Sequence, residues 1–140
     1  MIILVDDERG ADFYVDEMKR LGLPVKYFGS VDEAWDFLEH TRKRLEIAIL
    51  DLMMPPGTLF SLDDTEEGRL TGLHFYRLIR TKFPDCPVFL LTNLAHPAVQ
   101  DAARSDPAAE VRIKTDMYYD EFAAEIAGVL AMLRDESETK

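Results

Sequence analysis

The sequence predicts an α/β domain, a five-stranded parallel sheet with helices on both faces, and three observations carry that expectation. Short apolar runs alternate with helical patterns five times along the chain. The central runs lack polar alternation, which marks strands covered on both sides. Four of the five runs end in a polar residue or pair, at Asp6-Asp7, Asp51, Thr92 and Lys114.

The first run, Ile2 to Val5, is a strand closed by Asp6-Asp7-Glu8. Ala11, Tyr14, Val15, Met18 and Leu21 then recur at helical spacing, and Gly22 with Pro24 supplies a stop. Val25 to Phe28 reads as the second strand, and Ser30-Val31-Asp32-Glu33 has the spacing of a capping box. Val31, Ala34, Trp35 and Leu38 make the inward stripe of the second helix, which places Trp35 in the core rather than on a ligand. Ile47 to Leu50 is the third strand; it delivers Asp51 to its end, and Pro55-Pro56-Gly57 prevents continuation.

An irregular stretch over 56–71 follows, then a helix from Gly72 to Phe83 with Leu73, Tyr76 and Ile79 inward. Val88 to Leu91 is the fourth strand and ends in Thr92-Asn93; a short helix spans Ala98 to Arg104, broken by Pro107. Val111 to Ile113 is the fifth strand and ends in Lys114. The last helix gathers Phe122, Ile126, Val129, Leu130 and Leu133 on one face, with the Tyr118-Tyr119 pair at its start and one of those rings in the core. One domain is expected over 1–134, with a polar, fraying tail over 135–140. Right-handed crossovers and this count suit the flavodoxin-like strand order 2-1-3-4-5, in which ligands bind beyond the carboxyl ends of strands one and three.

Composition narrows the function. A net charge of -11 in 140 residues, 47% of them hydrophobic, fits one core and disfavours nucleic acid or an anionic membrane as partner. The cationic run Arg42-Lys43-Arg44 reads as a helix end meeting the macrodipole. Cys86 is the sole cysteine, so no intrachain disulfide forms and a reducing cytoplasm is the expected compartment. No run approaches the roughly 20 apolar residues of a membrane span, and the N-terminal run is too short for a signal peptide. His40, His74 and His96 lack metal-site spacing and read as surface or helix-end residues.

Three carboxylates at neighbouring strand ends repel and lose hydration unless a cation relieves them. A hard divalent ion that keeps several waters and accepts a phosphate oxygen suits such a set, so Mg²⁺ is the expected cofactor. The hydroxyl of Thr92 and the ammonium of Lys114 are donors for phosphate oxygens, and Asp51 is a carboxylate nucleophile.

With those residues in place, the chain resembles the CheY-like receiver domain of two-component response regulators from Met1 to about Leu133. Its carriers are Asp6-Asp7-Glu8, Asp51-Leu52-Met53-Met54-Pro55, Thr92 and Lys114 in that order, with Gly72 opening the third helix. The resemblance implies phosphorylation of Asp51 by a histidine kinase or phosphotransfer protein. It implies that Asp7 binds Mg²⁺ directly, Asp6 acts through water, and the Met53 carbonyl is a further ligand. Thr92 and Lys114 would hold the phosphoryl group, and the fourth helix, fifth strand and fifth helix would carry the change to a partner protein or a second copy. Such a chain is a signalling switch rather than an enzyme acting on a separate substrate.

The departures are specific. Val111 stands where the family has an aromatic switch residue, and Thr115 replaces the proline after the lysine, so a trans peptide is expected there. Thr115 or Asp116 is then available to cap the last helix. Asn93 replaces a small residue, with an expected effect on dephosphorylation. The stretch over 56–71, with Asp63-Asp64-Thr65-Glu66-Glu67, is longer than in the family; it reads as a mobile acidic loop, or else as a docking lid anchored by Phe60. Two other readings stand beside the phospho-switch: an Asp-nucleophile phosphatase, which lacks its second Asp because Met53 occupies the place, and a receiver-shaped module that interacts or dimerises without phosphorylation.

Overall fold

A computed structural model describes residues 1–138. Five strands, β1 (Ile2–Val5), β2 (Val25–Phe28), β3 (Ile47–Asp51), β4 (Val88–Thr92) and β5 (Ala109–Ile113), form one parallel sheet in the order β2-β1-β3-β4-β5. The helices are α1 (Ala11–Arg20), α2 (Val31–His40), α3 (Thr71–Lys82), α4 (Pro97–Arg104) and α5 (Tyr119–Glu138). This is the flavodoxin-like, CheY-like topology that the sequence predicts.

Strand alternation divides the core in two. Ile3, Val5, Ala48, Leu50, Val88 and Leu90 turn to the face covered by α2, α3 and α4, where Leu38, Phe75 and Ile79 fill the layer. Ile2, Leu4, Ile47, Ile49, Phe89 and Leu91 turn to the other face, under Met18 of α1 and Phe122 and Ile126 of α5. Both faces need apolar residues, so these strands show no polar alternation. β2, at the edge, leaves Lys26 and Tyr27 exposed.

Local chemistry sets the ends. Ser30 Oγ accepts the Glu33 N–H at 3.2 Å and starts α2. Trp35 packs edge-on against Phe75, as its place on the inward stripe requires. His96 starts α4, its Nδ1 accepting the Ala98 N–H at 3.1 Å. Tyr119 packs on the Tyr14 ring but is 40% exposed, and Tyr118 is exposed too, so neither ring of the pair joins the core: the helix begins at the surface there. No peptide bond among the described residues is cis, as Thr115 in place of proline requires.

Four other expectations are corrected. Leu21 is exposed, because the chain leaves α1 at that residue. Thr115 and Asp116 do not cap the last helix; they lie in a 3₁₀ turn over Lys114–Asp116, two residues before α5 begins. Residues 135–138 continue α5 rather than fray, while Thr139 and Lys140 lie outside the described residues.

The fourth concerns the stretch over 56–71, which is folded. Thr65 is fully buried; its hydroxyl donates to Ser61 O at 2.8 Å and accepts the Gly68 N–H at 3.1 Å. Asp32, in the first turn of α2, accepts the Thr58 N–H and hydroxyl, each at 3.0 Å. Leu59 and Phe60 pack against the core, and Phe60 meets the His74 ring. The segment is acidic, but its small hydrogen-bonding residues and apolar anchors satisfy its backbone. No helix among the described residues is long and apolar enough to cross a membrane.

One partly buried polar junction fastens α3 to the β5 edge. Arg80 Nε donates to Asp106 Oδ2 at 2.7 Å, its Nη atoms reach the Phe83, Cys86 and Ala108 carbonyls, and the Tyr76 hydroxyl donates to the same Asp106 oxygen. Burial alone would raise the Asp106 carboxyl, but the Tyr76, Arg80 and Ala108 donors outweigh it and hold it below its ordinary 3.8. Its stabilisation is therefore present above that value and lost as pH falls through the lower, folded one. Arg80→Met is expected to cost about 2 to 3 kcal/mol at neutral pH, by urea unfolding. The difference from the parent should shrink below the ordinary carboxylate range.

Candidate functional site

Sheet register creates the site. β1 and β3 pair as Ile2↔Ile47 through Val5↔Leu50, so the next residues, Asp6 and Asp51, fall side by side. They share the face of Leu4 and Ile49, and adjacent strands lie about 4.8 Å apart. Carboxyl oxygens of Asp6, Asp7 and Asp51 all lie within 4.8 Å of one another. Asp6 and Asp51 are buried, at 1% and 3% exposure, and Asp7 is exposed.

Lys114 is the counterweight. Its Nζ lies 3.0 Å from Asp51 Oδ1, 3.1 Å from Asp6 Oδ2 and 3.3 Å from Glu8 Oε2. Burial alone would lower the ammonium's pKa, but the Asp51 and Asp6 charges outweigh it and hold it above its ordinary value. Asp51 shows the opposite balance: burial and then the Asp6 charge push its carboxyl up to about 7, against the pull of Lys114. Asp7 is also raised, by burial first, with Asp6 and Glu8 adding and its backbone hydrogen bond opposing. One ammonium does not neutralise this set.

Asp51 Oδ2 is buried with no hydrogen-bond partner. A buried carboxylate oxygen without a donor costs free energy, and a cation beside Asp6 and Asp7 removes that cost. Hard oxygen donors clustered at a partly open position fit Mg²⁺, which keeps water in its shell. Both Asp6 oxygens are already engaged, Oδ1 by the Glu8 N–H at 2.9 Å and Oδ2 by Lys114. Asp7 and the unpartnered Asp51 Oδ2 could hold such an ion directly, with Asp6 beside it. Met53 follows in the bend after β3 with its side chain exposed, so only its backbone is suited to a ligand role.

The remaining expected residues occupy the same rim. Thr92 ends β4 with its hydroxyl donating to Leu94 O at 2.7 Å, so it is held within its own loop. Alternation assigns Thr92 to the face opposite Leu91, whereas Asp51 shares the Leu91 face. Asn93 is exposed and lines a cleft with Asp6, Glu8, Tyr14 and Lys114. Glu8 is the site residue that sequence reasoning missed as a partner of Lys114. Its position beside the acidic pair was visible, but a contact across 106 residues was not.

Gly72 fixes the approach of α3. Its N–H donates to Leu52 O at 2.8 Å, and a Cβ there would overlap the Asp51 carbonyl oxygen and lie 2.7 Å from Leu52 Cα. The α3 start therefore touches the backbone that carries Asp51.

No protein-family model matches the chain, and no curated protein matches it by sequence. Solved structures do match. The non-phosphorylated HemR receiver domain from Leptospira biflexa is similar at 22% identity and TM-score 0.71, covering 92% of each chain. The signal receiver domain of an HD domain-containing protein from Pseudomonas fluorescens is similar at 15% identity and TM-score 0.71, covering 98% of this chain and 90% of that one. The response regulator TrrA from Thermotoga maritima, in complex with Mg²⁺-BeF, is similar at 25% identity and TM-score 0.64, covering 91% and 96%. The chain therefore shares the fold of these receiver domains.

Gly72→Ala is expected to cost about 1 to 3 kcal/mol, the range for forcing a methyl into filled space, read as a lowered urea midpoint. Because backbone atoms block the methyl, the Asp51 and Leu52 amide resonances should shift more than those of β2.

Proposed function

We propose that this chain is a phosphoacceptor receiver of a two-component phosphorelay, with Asp51 as acceptor and Mg²⁺ as cofactor. The observation that carries the reading is the state of Asp51: one carboxyl oxygen on Lys114, the other buried and unpartnered, with Asp6 and Asp7 within ligand distance. TrrA, similar in fold, is described with Mg²⁺-BeF, which supports the same chemistry here.

The residues divide the work by position. The Asp51 carboxylate attacks phosphorus of a phosphohistidine; the P–N bond breaks, and its electron pair stays on the imidazole nitrogen, which takes up a proton. Asp7, Asp51 and the Met53 carbonyl would hold Mg²⁺ directly and Asp6 through water. Bound there, the ion neutralises the carboxylates and polarises the phosphoryl oxygens. Lys114 donates to a phosphoryl oxygen. Thr92 would exchange its bond to Leu94 O for one to the phosphoryl group, drawing the β4–α4 loop inward. The face of α4, β5 and α5 then changes for a downstream protein or a second copy. Leu94, Tyr118 and Met132 are large exposed apolar residues after β4, before α5 and on α5.

A phosphorylation-independent interaction module is the second reading, favoured by Val111, which supplies no aromatic reporter on β5. Incubation with Mg²⁺ and acetyl phosphate, read by intact mass, separates the two. One added phosphoryl group is expected, and Asp51→Asn or removal of Mg²⁺ by chelation should abolish it. An unmodified parent at full Mg²⁺ would leave only the second reading. Asn93 lines the cleft beside Lys114, so Asn93→Ala is expected to change the lifetime of the phosphorylated form severalfold, followed by the same mass measurement after donor removal.

A further inference from the structure

Glu8 belongs to the Lys114 site by geometry, and nothing in the phosphoacceptor chemistry above uses it. A lysine ammonium has three N–H donors and no more. Lys114 lies within 3.0 to 3.3 Å of three carboxylates, Asp51, Asp6 and Glu8, so every donor is committed before a phosphoryl group arrives. The three partners are unequal. Asp51 and Asp6 are buried, whereas the Glu8 side chain is about half exposed and makes the longest of the three contacts. Water can take over the hydration of Glu8, and cannot do so for the other two.

We infer that Glu8 is a positioning residue that occupies the third donor of Lys114 in the resting state and yields it to the incoming phosphoryl group. This rests on the phosphoacceptor reading of Asp51. An arriving phosphoryl oxygen competes with three carboxylates for three donors, and the solvated glutamate is the cheapest to displace. Asp6 is held twice, by Lys114 and by the Glu8 N–H, so it keeps its place when the Glu8 side chain leaves. Glu8 thereby keeps the ammonium aimed into the cleft beside Asp51 while no phosphoryl group is present, and it slows phosphoryl entry by having to be displaced.

Charge and contact are separable by substitution. Glu8→Gln keeps the length and removes the charge; Glu8→Asp keeps the charge and shortens the reach to Lys114. Both variants, matched to the parent by thermal melting, are phosphorylated with acetyl phosphate and Mg²⁺ at subsaturating donor, and the initial rate is followed by intact mass. Each is expected to react about two- to fivefold faster than the parent, the factor that a partly exposed ion pair is worth. In a Lys114→Gln background, Glu8→Gln should change the rate no further. Unchanged rates in both variants would overturn the inference. So would a gain confined to Glu8→Gln, which would mark a field effect on an anionic donor, or a gain that persists without Lys114. A parent that takes no phosphoryl group would instead overturn the underlying reading of Asp51.

Discussion

The structure depends on an imposed proximity: the β1/β3 register sets two buried carboxylates beside each other, and Lys114 reaches across β4 to hold them. Burial and like charge both oppose ionisation, so Asp51 is pushed up to about 7 although it touches an ammonium. A packed core alone would favour apolar residues at these strand ends. The apolar pairs Leu4↔Ile49 and Val5↔Leu50 supply the burial that tolerates them.

The same interaction orders the rim. Lys114 draws Asp6, Glu8 and Asp51 toward one point, while Asp6 Oδ1 receives the Glu8 N–H and Tyr27 donates to the Asp6 carbonyl at 2.6 Å. The loop after β1 is thus fixed from β2, from its own backbone and from the end of β5. On the other side, Gly72 lets the α3 start press on the Asp51 backbone, which leaves little freedom for that residue to move.

Much of this was legible in the sequence, for identifiable reasons. Asp51 and Lys114 each follow an apolar run, and a strand's end is where a polar residue escapes the core, so their meeting at one rim follows from topology. The neighbouring places of Asp6 and Asp51 follow from register, which apolar runs of four and five residues specify only loosely. The order in the 56–71 stretch was not legible, because Asp32 caps Thr58 from another helix and Thr65 folds inward on contacts that charge composition conceals. Leu21 was misplaced because helical periodicity does not reveal where the chain leaves the helix. The local engagement of Thr92 and the Glu8 contact both depend on side-chain direction, which residue order leaves open.

The inserted stretch also joins parts of the rim that would otherwise be independent. It begins beside Asp32 of α2, returns through the Met54 N–H to Gly68 O bond at 3.2 Å, and places Glu66 3.4 Å from His96 Nε2. His96 Nδ1 accepts the Ala98 N–H, so one ring meets both the first turn of α4 and Glu66. Glu66 and Glu67 adopt φ of 51° and 59°, a region that costs a side-chain-bearing residue roughly 1 to 2 kcal/mol. Contacts around them must hold that strain, and the buried Thr65 and the His96 pair are placed to do so. Since His96 lies four residues beyond Thr92, an inward move of the Thr92 loop works against a strained segment anchored at α2 and at the exit of β3. The start of α4 is therefore linked to the Asp51 rim by the Glu66–His96 contact as well as by the sheet.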